Sequence, residues 1–344
     1  MLVVRNARQA DLDAILALAQ GIGPGMTTLK ADRGVLARRL AIVEASFAGA
    51  ARPADSDYLF VLEDTANARV CGVSAIKGMV GVDEPFYSYR LGTSVHANPQ
   101  SNLVNRVQAL YLSHDMSGSA ELCSLYLHPD YRRGVNGKLL SKSRFLFMAQ
   151  FPHLFPEKIF AEMRGYLTQG GVSPFWESLG RHFFQMDFQD ADDLCGKGDR
   201  LFIEQLMPRL PLYTHLLGAA ACDVIGRTHI DTIPARRMLE QEGLLFDGYV
   251  DIFDAGPVLQ ARVRDLRAVR DSALLPLAPA PGAVENGAAA LVANTSMQAF
   301  RVAAMDVDAS TGVARAPQEA GAALQCEPGG AIRVYFPQAR SPAA

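Results

Sequence analysis

The chain has 344 residues, 49% of them hydrophobic and 20% charged, with 33 Lys plus Arg against 36 Asp plus Glu and a formal net charge of -3. That balance is too apolar for a disordered chain and lacks the basic excess of a nucleic-acid binder, while the length admits two domains or one with an appendage. Cys71, Cys123, Cys195, Cys222 and Cys326 are scattered, odd in number and without a CxxC pair, which argues against a disulfide framework or a structural zinc site.

Met1-Leu2-Val3-Val4-Arg5 runs at once into a strand pattern, with no charged n-region before an apolar stretch. No apolar run approaches the ~20 residues a membrane span needs, so a cytoplasmic protein is expected. Asp11 is expected to cap an amphipathic helix with Leu12, Ile15, Leu16 and Ala19 on one face. A Gly- and Thr-rich loop at 23–28 and a second helix at 34–48 follow. Residues 58–63 and 70–77 read as paired strands joined by a polar turn. Residues 86–90 and 109–112 read as strands with a long polar connection between them.

Residues 121–127 form a buried-strand pattern, followed by a helix from 137 to about 150, a strand at 158–164 and a short helix at 174–183. Further on, a strand is expected near 185–188, helices at 216–225 and 234–242, and a strand at 249–253. From about 256, short apolar stretches alternate with Gly, Ala, Pro and Asn turns, which reads as a small β domain with a loose linker near 276–286. The expected division is 1–255, itself conceivable as two related halves (1–190 and 200–255), then 256–344. No close repeat occurs; 175–184 and 236–246 share only a faint helix, Gly, aromatic echo.

The stretch from Leu125 to Leu140 carries most of the chemistry. It reads strand, turn, basic Gly-containing loop (Arg132-Arg133-Gly134-Val135-Asn136-Gly137-Lys138), then helix start. Backbone N–H groups at a helix N-terminus bind phosphate oxygens, glycine lets them approach closely, and arginine adds charge suited to a diphosphate. The bland alternative is a surface turn with solvated arginines.

In its order of strand, Pro, aromatic, Arg, Gly and helix, the segment resembles the acetyl-CoA loop of the GNAT acyltransferases. Arg132 fills the first place of that loop and Gly137 the last, while Val135 stands where the middle Gly is expected. Longer phrases resemble arginine N-succinyltransferase, including the arginine/ornithine succinyltransferase subunits: 121–125, 137–148, 161–165, 173–180, 224–229 and 249–257. The resemblance covers most of 1–275. It implies an α/β (α+β) GNAT-like mixed sheet flanked by helices, a small C-terminal β-barrel-like domain, and assembly as a homo- or hetero-oligomer. It also implies succinyl transfer from succinyl-CoA to the α-amino group of L-arginine, the first step of succinyl-route arginine catabolism. No metal-ligand spacing appears in the sequence, so no metal is expected. The alternatives are an ornithine-preferring or a non-catalytic subunit.

By the same resemblance Ser124, Leu125, Tyr126 and Leu127 meet the pantetheine arm as an added strand would, and Arg132, Arg133, Gly134, Gly137 and Lys138 hold the diphosphate. His229 matches the family's acid/base histidine; otherwise it reads as a capping or surface residue. Histidine suits proton transfer near neutral pH. His128 is the second choice, and His182 and His215 read as structural or solvent-facing. A substrate guanidinium needs a carboxylate, for which Glu162 and Asp254 are candidates, and each also reads as a structural acid. For the succinyl carboxylate the candidates are Arg90, Arg164 and Arg227. An acyl-Cys123 intermediate is conceivable, but the apolar strand around that thiol favours direct attack. Trp176 reads as core.

Overall fold

In the computed structural model, residues 1–22, 26, 28–83, 85–196 and 201–338 are described. Apart from Met26 and Thr28, the loop at 23–28 lies outside them. The first unit runs β1 (Leu2–Asn6), α1 (Leu12–Gln20), α2 (Arg33–Phe47), β2 (Asp57–Asp64) and β3 (Arg69–Lys77). α2 begins where Asp32 accepts the Val35 N–H at 2.8 Å, which satisfies an orphan donor of the first turn. Asp11 does not cap α1. Its carboxylate instead takes both terminal nitrogens of Arg5, at 2.8 and 2.9 Å, and the Arg8 N–H at 2.8 Å, because a buried guanidinium so close outcompetes the helix end.

β4 (Ser88–Asn98) and β5 (Leu103–Ser113) pair over their whole length. The expected polar connection is therefore the outer half of a long hairpin; both its faces are largely exposed, so the apolar alternation that marks a strand is missing there. β6 (Ala120–Leu127), α3 (Asn136–Gln150) and β7 (Lys158–Glu162) follow.

Pro174 to Phe184 is helical, with a π turn at Trp176–Gly180 leading into α4 (Arg181–Phe184). No strand forms at the expected 185–188. Gln185, at φ 54°, ends α4 in the left-handed region, the chain bends through 185–187, and α5 (Phe188–Gly196) begins. α6 (Leu201–Leu206), β8 (Leu212–Tyr213), the short α7 (Ala219–Cys222) and α8 (Ile233–Glu242) come next. β9 (Leu245–Val250) stops earlier than expected, because Asp251 Oδ1 accepts the N–H groups of Phe253 and Asp254 and folds 251–254 into a turn.

β10 (Pro257–Arg262), α9 (Arg267–Asp271), β11 (Ala273–Ala280), β12 (Ala288–Asn294), β13 (Arg301–Val307), β14 (Ala314–Pro317), α10 (Ala320–Leu324) and β15 (Ala331–Tyr335) complete the chain. β11 occupies much of the expected linker at 276–286. Among the described residues all fifteen strands join one mixed ladder, in the order β14-β11-β15-β12-β13-β1-β2-β3-β6-β7-β10-β9-β4-β5-β8. The tail strands attach through β13 to β1, and the bridge Asp308↔Arg315 brings β14 back beside the end of β13. They curl around an apolar core that includes Leu277, Val292, Val307, Leu324 and Val334.

The largest core lies between α1, α2, α3 and the strands β1, β2, β3 and β6, where Phe47, Tyr58, Phe60 and Phe147 meet edge to face or tilted at 4.9–5.6 Å. A second core gathers Trp176, Phe175, Phe184, Tyr89 and Val250 under β4 and β9, and Trp176 stacks on Phe184 at 5.3 Å.

Candidate active site

The parallel pair β6 and β7 is joined only at Ala120↔Ile159 and Glu121↔Phe160. Beyond those rungs the two strands part. β6 keeps β3 on its other side, with a register shift between Val73 and Ala75 opposite a bulge at Ser124, whose φ is 52°. Ser124 is locked there by several bonds. Its N–H donates to Thr28 Oγ1 at 3.2 Å, its hydroxyl donates to the Thr28 carbonyl at 3.0 Å, and it accepts from Arg39 at 3.0 Å. Arg39 is in turn held by both oxygens of Asp57, at 2.7 and 3.1 Å.

The parted strands open a cavity of about 1500 Å³ that runs along β6 to the start of α3. At that end Gly134, with φ 55°, turns the chain into the helix in a conformation that L side chains resist. Val135 has an ordinary φ of -95°, so glycine is not required at its position. Val135 supplies no side-chain cap; the Asn136 N–H turns back to the Arg133 carbonyl at 3.3 Å, and the Gly137 and Lys138 N–H groups are left to face an anion. A Cβ on Gly134 or Gly137 would meet nothing within 4 Å, so this turn opens on free space. Arg132 donates from Nε to the Leu127 carbonyl at 2.9 Å and lies over the Tyr126 ring at 5.6 Å, which anchors its charge at the cavity mouth.

His229 lies across the cavity. The segment after β7 bridges to it: Gly165 pairs with Thr228, and the His229 N–H donates to the Arg164 carbonyl at 2.8 Å. Gly165 is required there, because its N–H reaches Asp254 at 2.6 Å and a Cβ would meet the Asp254 backbone oxygen at 2.4 Å. The His229 side chain is 14% exposed. Its Nδ1 accepts the Asp231 N–H at 3.2 Å and faces the Asp231 carboxylate at 3.6 Å. Burial lowers its pKa below the ordinary 6.5, helped by the Arg164 charge and opposed by Asp231, which keeps the ring neutral at pH 7.

Thus the structure brings Ser124, Leu125, Tyr126, Leu127, Arg132, Arg133, Gly134, Gly137, Lys138, Glu162, Arg164, Asp254 and His229 to one cavity. Arg90 is not among its lining residues; it lies on β4 over the Tyr249 ring at 5.8 Å. Arg227 stands over Tyr166 at 4.5 Å, so it backs a lining residue. His128 caps a 3-10 turn, and His182 and His215 are exposed outside the cavity. Asp254 is buried, and its two oxygens accept from Gly165 and Gly256. Burial and the neighbouring Asp251 raise its pKa well above its ordinary value, and with both oxygens taken by backbone N–H groups it acts as a strut between the two segments. Burial likewise pushes the Cys123 thiol up to about 11, so it is a protonated, weak nucleophile.

Comparison with known proteins gives this geometry a family. The family described as "Arginine N-succinyltransferase beta subunit" matches residues 2–268. A Pseudomonas aeruginosa protein, "Arginine N-succinyltransferase subunit beta", is 48% identical over 90% of this chain and 91% of its own. The chain belongs to the arginine N-succinyltransferase family. An Escherichia coli "Arginine N-succinyltransferase" is 44% identical over 97% of both chains. In three dimensions the solved "arginine/ornithine succinyltransferase subunit AI from Pseudomonas aeruginosa" superposes with a TM-score of 0.89 at 35% identity, covering 98% of this chain and 99% of that one.

As an arginine N-succinyltransferase family member the chain is an N-acyltransferase, and a CoA thioester is its co-substrate. Among the described residues no cluster of His, Cys, Asp or Glu could hold a metal ion, and no helix is long and apolar enough to cross a membrane. Sequence reasoning missed Arg39, Asp57 and Thr28, which lock the bulge, and Arg144, which lines the cavity. The first three act across long sequence separations, and no local motif marks any of the four.

Proposed function

We propose that this chain transfers the succinyl group of succinyl-CoA to the α-amino nitrogen of L-arginine. The observation that carries the reading is the splay of β6 from β7 beyond Glu121, aimed at the uncapped start of α3 and faced by His229. The diphosphate sits on the N–H groups of 134–138, with Arg132, Arg133 and Lys138 supplying positive charge. The pantetheine arm then lies along the open edge of β6 beside Ser124, Leu125, Tyr126 and Leu127, as an added strand would.

Arg164 sits beside His229 and lowers its pKa, so an α-carboxylate held there brings the α-amino group to the imidazole. Glu162, half-buried at the end of β7, receives the guanidinium. The neutral amine attacks the thioester carbon, and the carbonyl electron pair moves to oxygen. Open-edge N–H groups around the Ser124 bulge bear that oxyanion. Collapse re-forms the C=O bond, and the C–S pair leaves on sulfur. The imidazole takes the proton released by the new C–N bond, is steadied as a cation by Asp231, and returns the proton to the thiolate.

His229→Ala tests this: succinyl transfer falls at least ~100-fold, while KM for succinyl-CoA changes little. Near-normal turnover removes His229 from the chemistry. Running the same assay with ornithine decides the amine, since the structural relative's description names both.

A further inference from the structure

α3 carries a second cationic feature, deeper than its N-terminus. Arg144 lies eight residues past Asn136, about 12 Å along the helix axis. It is 1% exposed and lines the cavity. Its guanidinium donates from Nε to the Ser141 carbonyl and from Nη2 to Ser141 Oγ, both at 3.1 Å. Both acceptors are neutral and belong to its own helix.

The other buried cations are treated differently. Arg5 has Asp11 and Glu63, Arg39 has Asp57, and Lys142 has Glu242. Among the described residues no carboxylate pairs with Arg144. Burial consequently pushes its pKa down to about 10, whereas the acids beside Arg5 and Arg39 push theirs up. A buried charge without a counter-ion is costly, so a cation left unpaired against a binding cavity is a site for an anionic ligand group.

Depth decides which group. On β6, Cys123 lies four residues inside Leu127, about 13 Å at the usual strand rise. Cys123 and Arg144 both line the cavity, each about 12–13 Å inward of the turn by these rises. The two therefore share the inner end of the cavity, away from the diphosphate turn. A thioester threaded inward from that turn carries the far end of its acyl chain to this floor.

We propose that Arg144 receives the free carboxylate of the acyl group and so selects dicarboxylic acyl thioesters over neutral ones. This rests on the acyl-CoA reading of the cavity given above. Arginine can pair both carboxylate oxygens in parallel, and a neutral chain would leave the guanidinium buried without a partner.

The test compares succinyl-CoA with butyryl-CoA, a neutral acyl thioester of the same chain length. Wild-type enzyme should favour succinyl-CoA in kcat/KM, and Arg144→Met should reduce that preference at least ~30-fold. The thermal midpoint of the variant should hold or rise, since an unpaired buried charge has been removed. Equal use of both thioesters by the wild type overturns the proposal without any variant. So does an equal loss with both thioesters in Arg144→Met, which marks a structural role. A rise confined to the KM for arginine also overturns it, because the carboxylate at Arg144 is then the acceptor's. Failure of the wild type to use any CoA thioester sinks the acyltransfer reading itself, a separate outcome.

Discussion

Lys142 and Glu242 form an ion pair with side chains 4% and 0% exposed, joining α3 to the end of α8. Glu242 also accepts the Ala268 N–H at the start of α9, and Lys142 lies over the Tyr335 ring at 5.5 Å. The pair therefore clamps α3, which follows the Gly134 turn, to two neighbouring helices and the last strand. Lys142→Met leaves the Glu242 carboxylate buried with a single neutral donor. Removing one partner of such a pair costs about 3–5 kcal/mol. Adding Glu242→Gln removes the stranded charge and keeps an acceptor for Ala268, so the double variant should recover at least about 2 kcal/mol of that loss. Urea unfolding of the wild type, both single variants and the double variant, read by two probes to check two-state behaviour, measures this cycle. A cost below about 1 kcal/mol for Lys142→Met, or a double variant no more stable than that single one, refutes the reasoning.

Two other consequences concern the reaction. His229 must be neutral to take a proton, so kcat/KM falls as the pH drops through its pKa, with the acid limb centred below 6.5. Arg164→Gln removes a depressing charge and should move that limb to higher pH, whereas Asp231→Asn should move it lower; shifts of the reverse sign contradict the assignment. Gly134→Ala meets no steric neighbour but disfavours the φ of 55° by about 1–2 kcal/mol, so KM for succinyl-CoA should rise roughly 5- to 30-fold, and an unchanged KM detaches that turn from binding.

The β6, loop and α3 unit was legible because its signals are local: an apolar strand, a glycine that permits the left-handed turn, and a helix start. The polar run Ser141-Lys142-Ser143-Arg144 was not, because four consecutive polar residues point around most of a helix and yet all are buried. α3 is enclosed by sheet, tail strands and α8 and α9, and only those partners explain why it tolerates charge inside. The outer β4–β5 hairpin was missed for the opposite reason: both faces meet water, so nothing apolar alternates. The His229 ring caps a 3-10 turn, as one of its sequence readings had it, and it also lines the cavity. The phrase around it carried the residue but not the Arg164 contact that tunes it.

The central claim is tested most directly by a crystal structure of the protein with a non-reactive thioether analogue of succinyl-CoA. The account predicts diphosphate oxygens on the N–H groups of 134–138, the pantetheine arm between β6 and β7, and the sulfur within reach of His229. A diphosphate bound away from that turn, or an arm that avoids the gap between the two strands, contradicts it.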